Sequence, residues 1–279
     1  TNKNGVYLTL SHLGEELINE KLPGIREISI KFANVDPVKE PVPVVPTVHY
    51  MMGGIPTTLN GQVRDGVKQK EVNGFYAVGE CACVSVHGAN RLGSNSLLDL
   101  IVFGKAAGQH ILDSSKGKKL KKLPNDVTKK TIERLKKIDT KSSLEDPREL
   151  GEELRAVMQK HCGVFRTPEL LNEGLGKVVD LKQRIRNISI KDNSKVFNTA
   201  RSEALELQNL IEVALATMAS AKNREESRGA HSRSDYPKRD DNSWLKHSLY
   251  NPKDGSLAYR PVKMKPLSVK SFPLKERVY

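Results

Sequence analysis

The sequence has few cysteines, no long apolar run and no recognisable targeting segment. An odd count of three cysteines in 279 residues argues against a disulfide framework and for a reducing compartment. No apolar stretch approaches the roughly 18 to 20 residues of a membrane span, so we expect no segment that crosses a bilayer. The N-terminal residues lack a signal-peptide core and a transit-peptide pattern, and we interpret them as an interior segment of a longer fold.

Two of the cysteines, Cys81 and Cys83, form a C-x-C pair. Zinc sites usually need a second pair of ligands at a recognisable spacing, and no such pair follows in this sequence. The pattern therefore predicts ordinary buried thiols and no metal site.

The chain is basic, with a net charge of +13, and this charge would permit nucleic-acid binding. Residues 116–137 hold ten lysines and arginines against Asp126 and Glu133, and so supply +8 of that total. These cations have no interleaved aromatic residues and belong to no nucleic-acid-binding motif. We interpret the stretch as a solvated linker, with an acidic partner or anionic lipid headgroups as the alternative, and expect no nucleic-acid partner.

Residues 1–45 are predicted to mix a short strand, a helix and polar turns. The helix begins after Ser11, has an acidic first turn and is stopped by Pro23-Gly24. The proline-rich residues 37–47 are expected to be extended, because each proline restricts the residue before it.

Residues 46–113 alternate strand candidates with glycine-rich turns. The candidates are residues 48–54, 62–67 and 74–80, and a helix is predicted from about Ser96. This order of elements is how α/β proteins bring a ligand to the carboxyl end of a strand.

Residues 145–224 are predicted to form three helices joined by short loops, which indicates an antiparallel bundle. Asp146-Pro147 is typical of a helix start, and a second helix follows from Pro168. The third runs from about Asn198 to Lys222, and residues 225–279 are expected to be an irregular tail with strand fragments. The apolar faces of the first and third helices comprise Leu150, Leu154 and Val157, and Ala204, Leu207, Ile211, Ala214, Leu215 and Met218.

The stretch VHYMMGGIPT places His49 just before paired glycines, Gly53 and Gly54. A histidine beside an apolar strand is commonly a core residue with satisfied hydrogen bonds. The glycines permit positive φ and let the backbone approach a flat ligand closely, which favours a binding role.

The stretch GFYAVGE predicts a strand that ends at Gly79, followed by Glu80. A carboxylate at the carboxyl end of a strand can accept hydrogen bonds from sugar-type hydroxyls, as it does in dinucleotide sites. A structural salt bridge is the alternative.

The stretch HGANRLGSNSLLD carries one arginine, Arg91, among small residues just before an apolar helix. Ser94, Asn95 or Ser96 could cap that helix, whose N-terminal amides favour an anion such as a reduced flavin or a carboxylate. Arg91 adds a two-pronged donor suited to a carboxylate. A capped helix with an adjacent surface arginine is the alternative.

Together these motifs resemble the flavoprotein subunits of succinate dehydrogenase (respiratory complex II) and the related fumarate reductases. VHYMMGGIPT and VHGANRLGSNSLLD are highly specific to this group, and ESRGAHSRSDYPKRDD adds to the likeness far downstream. The likeness covers nearly the whole chain, from the VYLTL segment to Tyr279.

The resemblance implies roles for individual residues. His49 and Arg91 would bind the carboxylates of succinate or fumarate, and Ser94 would line the substrate pocket through its backbone. Glu80 would contact the ribityl or ribose hydroxyls of FAD, while Ser96 and Leu97 would present backbone N–H groups to its isoalloxazine ring. Residues 225–233 would pack the tail against the FAD domain, with a structural His231.

The resemblance also implies the fold class, α/β plus α. Its parts would be the end of a capping domain, the C-terminal part of a Rossmann-like FAD-binding domain, a basic linker, an antiparallel three-helix domain and an irregular tail. These would occupy residues 1–45, 46–115, 116–144, 145–224 and 225–279.

No G-x-G-x-x-G follows a strand in this chain, and we expect this phosphate-binding turn and the proton-shuttle arginine in an N-terminal partner half. By the resemblance there is no catalytic base in this half, and the isolated chain would be inactive. The other partners would be an iron–sulfur subunit and membrane anchor subunits. The site would be peripheral to the mitochondrial inner membrane on its matrix side, or to the cytoplasmic face of a bacterial inner membrane.

Three alternatives remain open at the level of the sequence. A fumarate reductase or a related L-aspartate oxidase would use similar residues, because the direction of reaction depends on the flavin potential and the electron carrier. A non-catalytic assembly or scaffold protein of the same fold would be free to lose His49, Glu80 and Arg91, all of which are present. A basic nucleic-acid-binding protein rests on charge alone.

Overall fold

The computed structural model describes residues 5–45, 47–119, 122–139 and 145–275. The chain divides into two compact units, Thr1–His49 and Tyr50–Tyr279.

The first unit is a short antiparallel strand pair with a run of helical turns between its strands. Ile18 is fully buried, and the guanidinium of Arg26 donates to both carboxylate oxygens of Asp36 at 3.1 and 2.8 Å. The elements are β1 (Val6–Leu8), a 3-10 turn (Ser11–Leu13), α1 (Glu15–Lys21), α2 (Pro23–Ile28), a π turn (Ser29–Ala33) and β2 (Val42–Val44), with β1 paired to β2.

Three details of the first unit differ from the prediction. Helix α1 starts at Glu15 after Gly14, because Ser11 begins a separate 3-10 turn and caps nothing. Pro23 follows the end of α1 and is also the first residue of α2. A proline is tolerated there because an amide N–H in the first turn of a helix would have no acceptor within the helix. The proline-rich stretch is extended only in part. Residues 37–40 form a turn in which the Lys39 and Glu40 amides donate to Asp36 O at 2.9 Å, whereas Val42–Val44 are extended and pair as a strand.

The second unit begins with two small sheets. In the first sheet β3 (Ile55–Pro56) pairs in parallel with β6 (Ala82–Cys83), and in the second β4 (Gln62–Asp65) pairs in antiparallel register with β5 (Lys70–Tyr76). The segment before Gly53 was predicted to be a strand and is irregular. The strand predicted to end at Gly79 ends at Tyr76, because β5 pairs with β4 as a hairpin and the chain then turns towards β3.

The helices lie close to where the sequence predicts them. The side chain of Asp146 accepts from the Arg148 amide at 2.8 Å and caps the first helix of the bundle. The apolar residues predicted for the first and third bundle helices are all buried. The helices are α3 (Asn95–Ser115), α4 (Lys129–Asp139), α5 (Pro147–His161), α6 (Pro168–Ile185) and α7 (Thr199–Asn223).

Helices α5, α6 and α7 each pack against the other two around one core. Leu171, Val178, Leu181 and Met218 are completely buried within it. A Cβ at Gly174 would lie 2.5 Å from the Cβ of His161, so α5 and α6 approach closely at this point. The packing of the core therefore requires glycine at position 174 as well as the buried apolar side chains.

The basic stretch is only partly a linker. Residues 129–139 form α4, whose Ile138 is buried in the bundle core and accepts from the Ile190 amide at 3.1 Å through its carbonyl oxygen. Arg134 on the same helix donates to Gln208 of α7 at 2.7 Å. The prediction missed α4 because its lysines form the solvated face of an amphipathic helix with few apolar residues. Residues 120–121 and 140–144 lie outside the described residues.

The tail is more regular than predicted. It contains a helical turn, α8 (Asp241–Trp244), and an antiparallel hairpin of β7 (Lys246–Tyr250) and β8 (Leu257–Pro261). Lys246 lies over the rings of Trp244 and Tyr259 at 4.6 and 4.2 Å, so cation–π contacts hold this hairpin. Within the described part of the chain, no helix is both long enough and apolar enough to span a bilayer.

The substitution Gly174→Ala should destabilise the bundle by about 1–3 kcal/mol, because the new methyl group overpacks the α5–α6 contact. Gly176→Ala in the same helix is the matched control, since open space surrounds that position and alanine favours a helix by up to about 1 kcal/mol. Equilibrium urea unfolding followed by circular dichroism measures both. Equal free energies of unfolding for the two variants would contradict the close packing.

Candidate functional site

The first turn of α3 presents an open amide. Ser94 occupies the N-cap position with φ of 64°, and its side chain caps nothing. The amides of Asn95 and Leu97 donate to Leu92 O at 3.2 Å and Ser94 O at 3.1 Å. Among the described residues this leaves the Ser96 amide without a backbone acceptor. The start of a 21-residue helix therefore offers positive potential and an available donor to an anionic group.

Arg91 lies just before this helix and is held against an aromatic ring. Its guanidinium carbon is 4.5 Å from the ring centroid of Tyr50, and Nη1 donates to Leu92 O at 3.0 Å. Its Nε is buried and has no hydrogen-bond partner among the described residues. The ring supports the face of the cation, while donors at its edge stay available to a ligand with two acceptor oxygens.

The ring of Tyr50 is itself held by a buried pair. It meets the ring of His87 edge-on, with centroids 5.6 Å apart, and His87 Nε2 lies 2.8 Å from Asp99 Oδ2. Asp99 is only 5% exposed, although it belongs to α3. Burial and then the nearby carboxylates raise the pKa of Tyr50, so its phenol is neutral and its ring remains a good partner for a cation.

Glu80 lies close to the same group of residues. Its Oε1 accepts from the Met51 amide at 3.0 Å, and the side chain is exposed. The second carboxylate oxygen therefore remains accessible to a hydroxyl donor. The expected salt-bridge alternative is absent among the described residues, because the partner found is a backbone amide.

Gly54 has a different role from the one that its sequence context indicates. Both Gly53 and Gly54 have positive φ, as predicted. A Cβ on Gly54 would overlap the carbonyl oxygen of Cys81, which accepts from the Ile55 amide at 2.8 Å. The glycine therefore allows β3 to approach the turn before β6, and that approach brings residues 50–51 beside Glu80.

The structure brings some of the predicted site residues together and not others. Arg91 and Glu80 both lie near Tyr50 and Met51, with Ser94 and Ser96 at the adjoining helix start. Leu97 follows in that helix, 62% exposed, with its amide bonded to Ser94 O. His49 is exposed and is the last residue of the first unit, so its part in the site stays a prediction.

Sequence reasoning did not find Tyr50, His87 and Asp99 as a supporting set. Asp99 is a charged residue within the apolar run of α3, and that position was the available signal, because a buried carboxylate needs a partner. Nothing in the sequence connects it to His87 or Tyr50.

The tail contributes a buried ion-pair network next to the site. Glu226 is completely buried and receives bonds from Arg224 at 2.6 Å, Arg228 at 2.8 Å and the Asp240 amide at 2.9 Å. Burial alone would raise the pKa of Glu226, but these donors outweigh it and the pKa is lowered. As expected for residues 225–233, this segment contacts the site-bearing part, because Ala230 donates to Ala89 O at 3.1 Å.

The residues at the start of α3 fit a flavin better than a metal ion. An open helix start and the accessible carboxylate oxygen of Glu80 suit an anionic ring and a hydroxylated chain. No group of three or more histidine, cysteine or acidic side chains suited to a metal occurs in the described ranges. Of the thiols predicted to be buried, Cys162 is buried, Cys83 is half-buried, and Cys81 is exposed at the edge of the two-residue strand β6.

Two family models match separate parts of the chain. Residues 1–97 match the model of an FAD binding domain, and residues 151–279 match the model described as fumarate reductase flavoprotein C-term. The FAD expected from the sequence is thereby confirmed as the cofactor.

Known relatives align along nearly the whole chain. The succinate dehydrogenase flavoprotein subunit of Coxiella burnetii is 51% identical over 99% of this chain and 47% of its own length. The mitochondrial succinate dehydrogenase [ubiquinone] flavoprotein subunit of Oryza sativa is 45% identical over 99% of this chain and 45% of its own length. The chain thus spans about half the length of these relatives.

A solved structure gives the same result for the fold. A chain of the E. coli quinol fumarate reductase superposes with a TM-score of 0.82 at 38% identity, over 96% of this chain and 46% of that one.

Stability should fall on acidification because of His231. Burial, followed by repulsion from Arg166, Arg224 and Arg233, lowers the pKa of His231 to about 4 despite its contact with Arg224 O. Between about pH 6.5 and pH 4 the His231 imidazole is protonated in the unfolded chain but neutral in the folded chain. The free energy of unfolding therefore falls by about 2–3 kcal/mol as the pH is lowered across that window.

The measurement for this prediction is denaturant unfolding at pH 7, 5.5 and 4.5. His231→Gln should make the dependence of the free energy of unfolding on pH less steep, and the slope that remains includes His247, whose pKa burial also lowers to about 4. His12→Gln, at an exposed histidine of the first unit, should leave the dependence as steep as in the wild type. An equally steep loss of stability in His231→Gln would contradict the assignment.

Proposed function

Because the chain belongs to the family of succinate dehydrogenase and fumarate reductase flavoproteins, we propose that it forms part of a flavoprotein subunit that oxidises succinate to fumarate. The observation that carries this proposal is Arg91, a cation stacked on Tyr50 with unused donors beside an open helix start. This arrangement suits a small carboxylate placed next to a flavin.

Arg91 would hold one carboxylate of succinate through paired N–H donors. His49 would bind the second carboxylate, and Ser94 would line the pocket through its backbone. Tyr50 fixes the plane of the guanidinium, so the substrate meets donors that are already oriented, at little entropic cost. Gly88 and Ala89 before Arg91, and Gly93 and Ser94 after it, are small and would leave room for a substrate beside the guanidinium.

When bound, FAD would supply the acceptor for a hydride from one methylene carbon of succinate. Ser96 would direct its available backbone N–H group at the isoalloxazine ring, and the partial positive charge of the helix start would favour an anionic ring. The Leu97 amide already donates to Ser94 O at 3.1 Å, so it would reach the ring only by giving up that bond. Glu80 would accept from a ribityl or ribose hydroxyl with its available oxygen. The proton from the second methylene carbon leaves to a base that we assign to the N-terminal partner half.

An exposed apolar surface on α3 supports the need for that partner half. The side chains of Leu97, Leu98, Ile101 and Val102 are each more than half exposed, although the first half of the helix is rich in apolar residues. A helix of this composition is normally buried on most sides. We propose that the partner half covers this surface and extends the sheet begun by β3 and β6.

The remaining partners follow from the same proposal. Electrons would leave the flavin through an iron–sulfur subunit to a quinone held by membrane anchor subunits. The assembly would lie at the mitochondrial inner membrane on its matrix side, or at the cytoplasmic face of a bacterial inner membrane. Fumarate reduction by the same residues is the second candidate, supported by the similarity to quinol fumarate reductase.

Replacing Arg91 with lysine should weaken dicarboxylate binding by roughly 10- to 100-fold, because lysine keeps the charge and loses the two-pronged donor. The dissociation constant of malonate, measured by the change in flavin absorbance of the assembled flavoprotein, is the readout. Arg148→Lys on the exposed surface of α5 is the matched control and should bind normally. Unchanged malonate affinity in Arg91→Lys would remove the arginine from the site.

Introducing a charge at Ile101 should prevent assembly, because an unpaired carboxylate would be buried against the partner half. Ile101→Asp should retain less than a tenth of the flavin, while Val213→Asp on the exposed side of α7 should retain it. Flavin absorbance and mass spectrometry of the purified assembly would identify every chain present. Full flavin content in Ile101→Asp would contradict an interface on α3.

A further inference from the structure

The segment that carries Arg91 makes little backbone hydrogen bonding with the rest of the chain. Residues 84–91 belong to no helix or strand. Among the described residues, this segment makes a single backbone–backbone hydrogen bond, in which Ala89 O accepts from the Ala230 amide at 3.1 Å. The backbone two residues before Arg91 is therefore held by a part of the chain about 140 residues away in sequence.

The holding element is a tight turn. Arg228 and His231 exchange two backbone hydrogen bonds of 2.8 and 3.0 Å, which leaves Gly229 and Ala230 at the tip. Gly229 has φ of 59°. A Cβ at this position would lie 2.5 Å from Ala89 O and 2.8 Å from the Ala89 Cβ, so only glycine allows the two backbones to approach this closely.

The turn is fixed at its base by charged groups. Arg228 donates to both oxygens of the buried Glu226 at 2.8 and 2.9 Å, and to Asp241 at 2.7 Å. On its other side, Arg166 Nη1 lies 2.7 Å from His231 Nδ1. The tip is thus fixed, and it holds the backbone of the segment at Ala89. The other anchors of the segment are side-chain contacts, those of Ser85 with Arg260 at 3.1 Å and of His87 with Asp99 at 2.8 Å.

We propose that the Arg228–His231 turn is a positioning element for dicarboxylate binding, in which Gly229 and Ala230 fix Ala89 and so set the place of the Arg91 guanidinium. This inference rests on the proposed function of Arg91. Tyr50 orients the plane of the guanidinium, and the turn fixes the backbone from which the Arg91 side chain extends. Gly229 is a positioning residue that contacts neither substrate nor flavin.

The test compares two glycine variants in the assembled flavoprotein. Gly229→Ala should raise the dissociation constant of malonate at least tenfold while the assembly keeps its full flavin content. Malonate is the probe because its single methylene group cannot lose hydrogen from adjacent carbons. Gly255→Ala is the matched control, since Gly255 also has positive φ, +73°, but no atom lies within 4 Å of its would-be Cβ.

The outcomes separate the inference from the function on which it rests. Malonate affinity within twofold of the wild type in Gly229→Ala overturns the positioning role, provided that the wild type binds malonate and Arg91→Lys does so weakly. A wild type that does not bind malonate overturns the proposed function itself. A loss of affinity in Gly255→Ala as large as in Gly229→Ala also overturns the inference, because strain alone would then explain it.

A second measurement applies if Gly229→Ala fails to assemble. Coupling between two sites is reciprocal, so a turn that favours the binding arrangement of Arg91 must itself be stabilised when a ligand binds. Hydrogen exchange of the wild-type assembly should show the Ala230 amide exchanging at least threefold more slowly with saturating malonate. An unchanged exchange rate there would overturn the proposal.

Discussion

The buried carboxylate of Glu226 is the interaction on which the second unit depends. A carboxylate that is removed from water costs several kcal/mol unless charged donors replace the water, and here Arg224, Arg228 and the Asp240 amide do so. Arg224 directly follows α7, while Asp240 precedes α8. One anion therefore joins the end of the helical bundle to the tail, and through the turn of residues 228–231 it reaches the segment that carries Arg91.

The candidate site follows a simple electrostatic design. A cation that must bind an anion cannot be neutralised by a fixed carboxylate, or it would lose its ligand affinity. Arg91 is instead held by a neutral aromatic face, and the buried carboxylate of Asp99 is paired with His87. The Tyr50 ring orients the guanidinium but accepts none of its N–H groups, so these donors remain for the ligand.

Local patterns predicted most of the helical part of the fold. Asp146-Pro147, Pro168 and the spacing of apolar residues in α7 each carry their own signal, because caps and helical periodicity depend on residues only a few positions apart. Helix α4 was missed since its lysines outweigh Leu135 and Ile138, its inward residues. The end of β5 was misplaced because strand limits depend on the pairing partner, which no short window of sequence contains.

The site was predictable to the extent that its motifs are local. Arg91 and the start of α3 could be read from one stretch of thirteen residues. The support from Tyr50 and His87, and the contact of Gly229 with Ala89, join residues between 37 and 140 positions apart. Such contacts are consequences of the tertiary fold, and a single sequence carries no signal of which distant residues meet.

The apolar surface of α3 also bears on how the chain survives after synthesis. Exposed leucine, isoleucine and valine side chains on one continuous helix are the kind of surface that drives aggregation and recruits chaperones. A copy of the chain in which α3 stays uncovered would therefore present this surface to other unfolded or partly assembled chains and to chaperones.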